Sequence, residues 1–324
     1  MIVPEFWAEA RAHRPRARNQ RQVTVRRFGW SDLSQEDAQR MADARVHEAF
    51  QRIVAGAELP RLERRVSYNA GVPIREQILK RYADVVVTRN IYGARCLNTP
   101  DVLFADVDFK TTIPRPIWIA CYVVVFALAL AYTVWRGSLR SIPIAFGLAV
   151  IAGALLAPLV NKISGLWRDK PEDIARKQID VFLQSHPDWH VRLYRTPGGF
   201  RLLALHALFD PASPEVAEAF TTLGVDPLYA KLCRNQRCFR ARLTPKPWRI
   251  GIPQIYPSPG SWPVKPEHAA ARSDWLRDYG NASAGFASCR FVCDLGSSKV
   301  HSKAATISAL HDHLADALSG REIA

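Results

Sequence analysis

The chain is 324 residues long and carries 44 lysines and arginines against 30 aspartates and glutamates, a formal net charge of +14. Six cysteines exclude a disulfide scaffold, and the lack of repeats or low-complexity tracts excludes a solenoid or fibre. The charge excess suits an anionic partner: lipid headgroups, nucleic acid or a nucleotide phosphate.

Residues 1–30 contain seven arginines opposed only by Glu5 and Glu9, with no apolar run of the signal-peptide kind. They read as a basic N-terminal arm, partly disordered and near anionic lipid, with a strand over 22–30. Residues 31–116 read as the first part of a soluble α+β domain. Ser31-Asp32-Leu33-Ser34 offers caps for a helix over 35–55, and 60–65 breaks the pattern. A short helix is expected over 74–82, then Val-rich strands over 84–88 and 102–109.

Two charge-free apolar runs follow, 117–135 and 142–160, each 19 residues long. At about 1.5 Å per residue each approaches the thickness of a bilayer's hydrocarbon core. Ala145, Ala149 and Gly153 recur at four-residue intervals, a small-residue stripe that lets two helices approach closely in lipid. The runs therefore predict a transmembrane helical hairpin over 117–160, with Pro143 in the first turn of its helix and Pro158 in the last. Lys110, Arg115, Lys162, Arg168 and Lys170 flank the hairpin, against Arg136 and Arg140 in its loop. This bias puts the soluble parts and both termini on the cytoplasmic side of a bacterial inner membrane. Lys110, Arg115, Lys162 and Arg168 are the residues expected at headgroup level.

Residues 161–324 read as the second part of the soluble domain. A helix is expected from 170 to 185, a β-hairpin over 189–194 and 200–206 around Thr196-Pro-Gly-Gly199, and helices over 214–223 and 227–235. A strand over 238–243, a Pro- and Gly-rich loop over 244–266, a strand over 290–295 and a helix over 304–318 complete the chain. Without the apolar hairpin, the order from residue 102 is strand, helix, strand, strand, helix, strand. That is a ferredoxin-like, palm-like order, so the expected fold class is α+β with an inserted hairpin.

Asp106 and Asp108 lie two apart on one strand, so both carboxylates face the same way. Such a pair suits Mg²⁺ or Mn²⁺, hard cations that take oxygen ligands, and a metal so held supports phosphoryl transfer. Arg240, Arg242, Lys246 and Arg249 form the densest basic run, with Trp248 among them. Guanidinium groups bind phosphates through paired hydrogen bonds, and an indole stacks on a base. Pairing of these arginines with sheet carboxylates is the alternative role. His311 and His313 flank Asp312 and read as part of a solvated helix face. Cys233 with Cys238 and Cys289 with Cys293 have poor spacing for a zinc site.

The Asp-x-Asp strand followed by a hairpin with a Thr-Pro-Gly-Gly turn resembles the palm of archaeo-eukaryotic primase-polymerase enzymes, over about residues 100–245. The resemblance implies a metal-dependent nucleotidyl transferase using Asp106 and Asp108. That family carries a histidine on the strand after the turn and a third aspartate later. Here Arg201 stands near the histidine position, with His206 further along, while Asp226 begins a helix and Asp294 lies far downstream. Phe104-Ala-Asp106-Val-Asp108-Phe-Lys110 is also similar to the metal-binding strand of diguanylate cyclases, without their loop of two glycines followed by acids. The leading functional expectation is a basic cytoplasmic domain that binds an anionic lipid, nucleic acid or nucleotide, with Arg201, Arg240, Arg242, Lys246 and Arg249 as its phosphate contacts. A nucleotidyl transferase is the alternative, and a nucleotide cyclase the third reading.

Overall fold

A computed structural model describes residues 1, 3–16, 22–63, 73–109, 115–137, 142–165, 170–255, 260 and 262–324. The chain folds as two units, one of Met1–Asp108 with Val181–Ala324, the other of Phe109–Asp180.

The first unit is α+β. Its chain begins with β1 (Phe6–Arg14) and β2 (Val23–Ser31), an antiparallel pair running from Phe6 opposite Ser31 to Arg14 opposite Val23. The expected disordered arm is therefore a hairpin over most of its described length. The reason lies in Trp7, Ala8, Ala10, Val23, Val25 and Phe28, which are buried between the arginines. Helix α1 (Gln35–Val54) starts at Ser34, whose hydroxyl accepts from the Asp37 amide at 3.1 Å. It lays Ala38 and Ala42 on β2 at Gly29, where an added Cβ would stand 2.1 Å from the Ala38 carbonyl oxygen. Only glycine admits a helix backbone at that distance.

Next come β3 (Gln77–Tyr82), β4 (Val85–Arg89), β5 (Arg95–Thr99) and β6 (Phe104–Asp108). The segment expected as a helix over 74–82 is strand β3, joined to β4 by the two-residue turn Ala83-Asp84 and paired with it antiparallel. The valines of β4 supply a partner that the local pattern of β3 does not reveal.

The second half adds the hairpin β7 (His190–Thr196) and β8 (Gly199–Ala204), helices α5 (Pro214–Leu223) and α6 (Pro227–Gln236), and β9 (Phe239–Arg242). Helix α7 (Ala269–Ser283), β10 (Phe286–Ala287), β11 (Arg290–Gly296), α8 (Ser302–Leu314) and β12 (Glu322–Ile323) follow. Two four-stranded sheets form the body, ordered β11-β7-β8-β6 and β3-β4-β5-β9, each antiparallel throughout. In the first, β6 and β7 flank β8 and so run parallel to each other, the strand arrangement of a split βαβ unit. The expected fourth strand, β9, instead pairs with β5 in the other sheet, and the fourth place falls to β11 beside β7. The Tyr229 hydroxyl lies 2.9 Å from the carbonyl oxygens of both Phe104 in β6 and Arg240 in β9, linking an edge strand of each sheet.

Helix α4 (Pro171–Ser185) straddles the boundary between the units. The second unit also holds α2 (Arg115–Arg136) and α3 (Ile142–Gly165), two helices long and apolar enough to cross a membrane. They pack together along small residues: Ala149 and Ala157 are buried, and a Cβ on Gly153 would stand 2.6 Å from the Tyr122 ring. Their large side chains, among them Val123, Leu128, Leu155 and Leu159, face outward. Pro158 lies inside α3, which continues beyond the predicted end to Gly165.

Candidate anion-binding site

The β6–β8 register sets Asp106 opposite Arg201 and Asp108 opposite Gly199. Gly199 is required there, because a Cβ would fall 2.1 Å from the Val107 carbonyl oxygen. Arg201 is buried at 2% exposure, and its guanidinium grips Asp106 with two bonds, Nε to Oδ1 at 2.8 Å and Nη2 to Oδ2 at 3.2 Å. Nη1 donates to the Arg242 carbonyl at 2.9 Å, tying β8 to β9. Burial disfavours the charge, but the Asp106 carboxylate outweighs it and raises the Arg201 pKa.

Behind Arg201 lies a buried polar network. Nη1 also stands 3.4 Å from His311 Nε2, and a guanidinium can only donate, so Nε2 accepts and the proton sits on Nδ1, 3.4 Å from Asp312 Oδ1. Asp312 receives the Tyr194 hydroxyl at 2.6 Å and Arg192 Nη2 at 2.8 Å. Burial lowers the His311 pKa, favouring the neutral ring. His311 and Asp312 are thus core residues, which corrects the expectation of a solvated helix face; His313 is exposed. Cys289 Sγ lies 3.9 Å from His311 Nε2, but burial pushes its thiol pKa up, so this Cys-His-Asp sequence is sealed and unreactive.

On the outer side, Asp108 ends β6 in an exposed position. Partial desolvation, then the charges of Asp106 and Asp226, raise its pKa, while Lys246 and Arg249 pull it down. Lys246 and Arg249 act on this strand end, and Arg242 neighbours them both. An ideal Cβ on Gly198 would lie 3.7 Å from both Arg249 Nη2 and Asp108 Oδ1, so the Pro-Gly turn leaves an open seat between them. Burial, with the neighbouring Arg201 and Arg249, lowers the Arg242 pKa to about 10, and burial followed by Arg242 and Arg249 lowers that of Lys246. The Arg242 Nε is buried with no hydrogen-bond partner. Lys246 and Arg249 bracket the proline-stiffened turn Pro247–Arg249, closed by the Arg249 amide donating to the Lys246 carbonyl at 2.9 Å. Lys246 Nζ lies 5.5 Å from the Trp248 ring, which packs edge-on against Tyr92 at 5.3 Å and remains 45% exposed.

Among the described residues no carboxylate reaches Arg242, Lys246 or Arg249 at ion-pair distance. The other two expected phosphate contacts are taken. Arg201 is held by Asp106, and Arg240 donates through Nη2 to Glu76 at 2.6 Å in a buried pair that also receives the Thr88 hydroxyl. Asp106 and Asp108 do share a strand, but the residues present do not fit a two-carboxylate metal site: both Asp106 oxygens accept from Arg201, and Asp226 caps α6 by accepting from the Leu228 amide. No group of three or more metal-ligating side chains occurs among the described residues. The six cysteines are free thiols. Of the membrane-flanking residues, Lys110 and Arg168 lie outside the described residues, Arg115 opens α2, and Lys162 is exposed in α3.

Comparisons of the chain with protein-family models, with curated proteins and with solved structures find no match.

Proposed function

We propose that this protein is a membrane-anchored binder of phosphate-bearing anions, with Arg242, Lys246 and Arg249 as the binding cations. One observation carries the reading: Arg242, Lys246 and Arg249 neighbour one another with no carboxylate at ion-pair distance among the described residues and with Asp108 as the acid nearby, whereas Arg201 and Arg240 are each held directly by a carboxylate. Lipid headgroups, nucleotides and nucleic acid share the phosphate chemistry that such a cluster recognises, and the exposed Trp248 beside it suits a ligand with an aromatic ring. The apolar hairpin supplies the anchor, and its basic flanks favour a cytoplasmic position for the binding unit.

The catalytic reading, a palm-like nucleotidyl transferase or cyclase, draws on the β6-β8-β7 arrangement and on Asp108, whose pKa is raised by partial burial and then by Asp106 and Asp226. It requires Arg201 to release Asp106. Calorimetric titration of the detergent-solubilised protein with ATP, with and without Mn²⁺, separates the two. The binding reading expects metal-independent affinity that falls at least tenfold in Arg242→Ala with Lys246→Ala. Affinity that appears only with Mn²⁺ and vanishes in Asp108→Asn favours the enzyme, and no binding of ATP, pyrophosphate or anionic vesicles under any condition refutes the anion site.

A further inference from the structure

A second group of unneutralised cations stands at one end of the β3-β4-β5-β9 sheet. The register places Gln77 opposite Arg89 and Arg89 opposite Arg95, so three side chains stand in a row across three strands on one face. Like charges set directly opposite each other destabilise a sheet. Arg272 from α7 adds a third guanidinium: its Nη2 donates to Gln77 Oε1 at 3.2 Å, and the residue is 6% exposed. Arg89 donates through Nη1 to the Gly93 carbonyl at 2.7 Å, while its Nε is buried without a partner. Among the described residues no carboxylate lies at ion-pair distance from Arg89, Arg95 or Arg272. Burial, then the charges of Arg272 and Arg95, lower the Arg89 pKa to about 10.

Buried charges are paired as a rule, because an unpaired one loses its hydration without compensation. Here Arg272 is buried, Arg89 is partly buried and Arg95 stands exposed beside them, and the described residues offer none of the three an acid, so an anion from outside would offset their charge. We propose that Arg89, Arg95 and Arg272, with the free amide hydrogens of Gln77, bind an oxyanion of the phosphate type. Guanidinium forks match the oxygen spacing of a phosphate, and a dianion offsets most of the three charges. The site is separate from the cluster around Lys246. Arg242 pairs across the ladder with Cys96, so Arg95, one residue earlier, projects from the opposite face of the sheet.

The test is thermal unfolding of the full chain in detergent, titrated with inorganic phosphate at ionic strength held constant with sodium chloride. A ligand that binds only the folded state raises the melting temperature with its concentration. The expected result is a phosphate-dependent rise that survives in Arg242→Ala/Lys246→Ala/Arg249→Ala and whose apparent affinity falls at least fivefold in Arg95→Gln and in Arg272→Gln. Arg95 is exposed, so its variant reports on the site even if Arg272→Gln fails to fold. A response that disappears in the triple variant, or is unchanged in Arg95→Gln, overturns the second site. A twelve-residue oligothymidylate at matched phosphate concentration identifies the source. A rise with phosphate alone assigns a free phosphate compound, a stronger rise with the oligonucleotide assigns a phosphodiester chain, and no rise with either refutes the proposal.

Discussion

Asp106 and Asp108 are two residues apart on one strand, yet their environments oppose each other. Asp106 neutralises a buried guanidinium, so Asp106→Asn leaves Arg201 charged and without its partner. Breaking a buried pair costs about 3–5 kcal/mol, and with 32% of the Asp106 side chain still exposed the low end applies, about 3 kcal/mol in chemical denaturation. Asp108 has no such bond and is crowded by like charge. Its raised pKa means that the folded state holds the Asp108 proton more tightly than the unfolded chain does. That contribution is present below the ordinary carboxylate range and is lost as pH rises through the folded pKa. Asp108→Asn is therefore expected to leave stability unchanged or raise it at pH 7, with the difference from the parent closing below about pH 4. Equal losses from both substitutions at pH 7 would show that the two carboxylates are structurally equivalent after all. The same contrast explains what the sequence could not reveal about the site. Arg240 and Arg242 are indistinguishable in the run Phe-Arg-Ala-Arg, and what separates them is Glu76, a residue 164 positions away.

At the scale of elements, the chain was most legible where one physical signal dominated. Long apolar runs marked α2 and α3, and turn residues marked the β7–β8 hairpin, whose predicted strands agree with the structure to within two residues. Legibility failed where pairing decided the outcome: β3 takes its conformation from β4, and β9 joins β5 in the second sheet because its partner lies far away in the chain. Helix α7 and strand β5 carried no local pattern strong enough to single them out. The small-residue stripe was legible and has a direct test. Gly153 admits the Tyr122 ring against the α3 backbone, so Gly153→Leu is expected to overpack the hairpin by about 1–3 kcal/mol. The loss should be read as a lower melting temperature of the helical signal in micelles, and Tyr122→Ala should restore much of it by making room. Failure of that rescue would mean that the helices do not meet at this contact.

For the whole molecule, the decisive property is the division of apolar and basic surface between the two units. A helix in a soluble core buries its large side chains, whereas in each apolar helix here only 17% of the most apolar stretch is covered. Exposing hydrocarbon to water costs about 25 cal/mol per Å², so this surface calls for an apolar cover, and the proposed membrane anchor would supply one. Five basic residues flank the hairpin against Arg136 and Arg140 in its loop, and translocating that short loop requires far less polar transfer than translocating the folded unit. The expected topology puts residue 138 on the far side and both termini in the cytoplasm. Paired reporter fusions at residue 138 and at the C-terminus, one active only in the cytoplasm and one only outside it, should give opposite signals at the two positions. Replacing Lys162, Arg168 and Lys170 with glutamine while adding three lysines to the loop reverses the charge bias, and should yield mixed orientation or reduced insertion. A C-terminal reporter active outside the cytoplasm in the unaltered protein, or recovery of the protein in the soluble fraction after alkaline extraction, would overturn this topology and leave the outward-facing side chains of α2 and α3 to be covered by another protein.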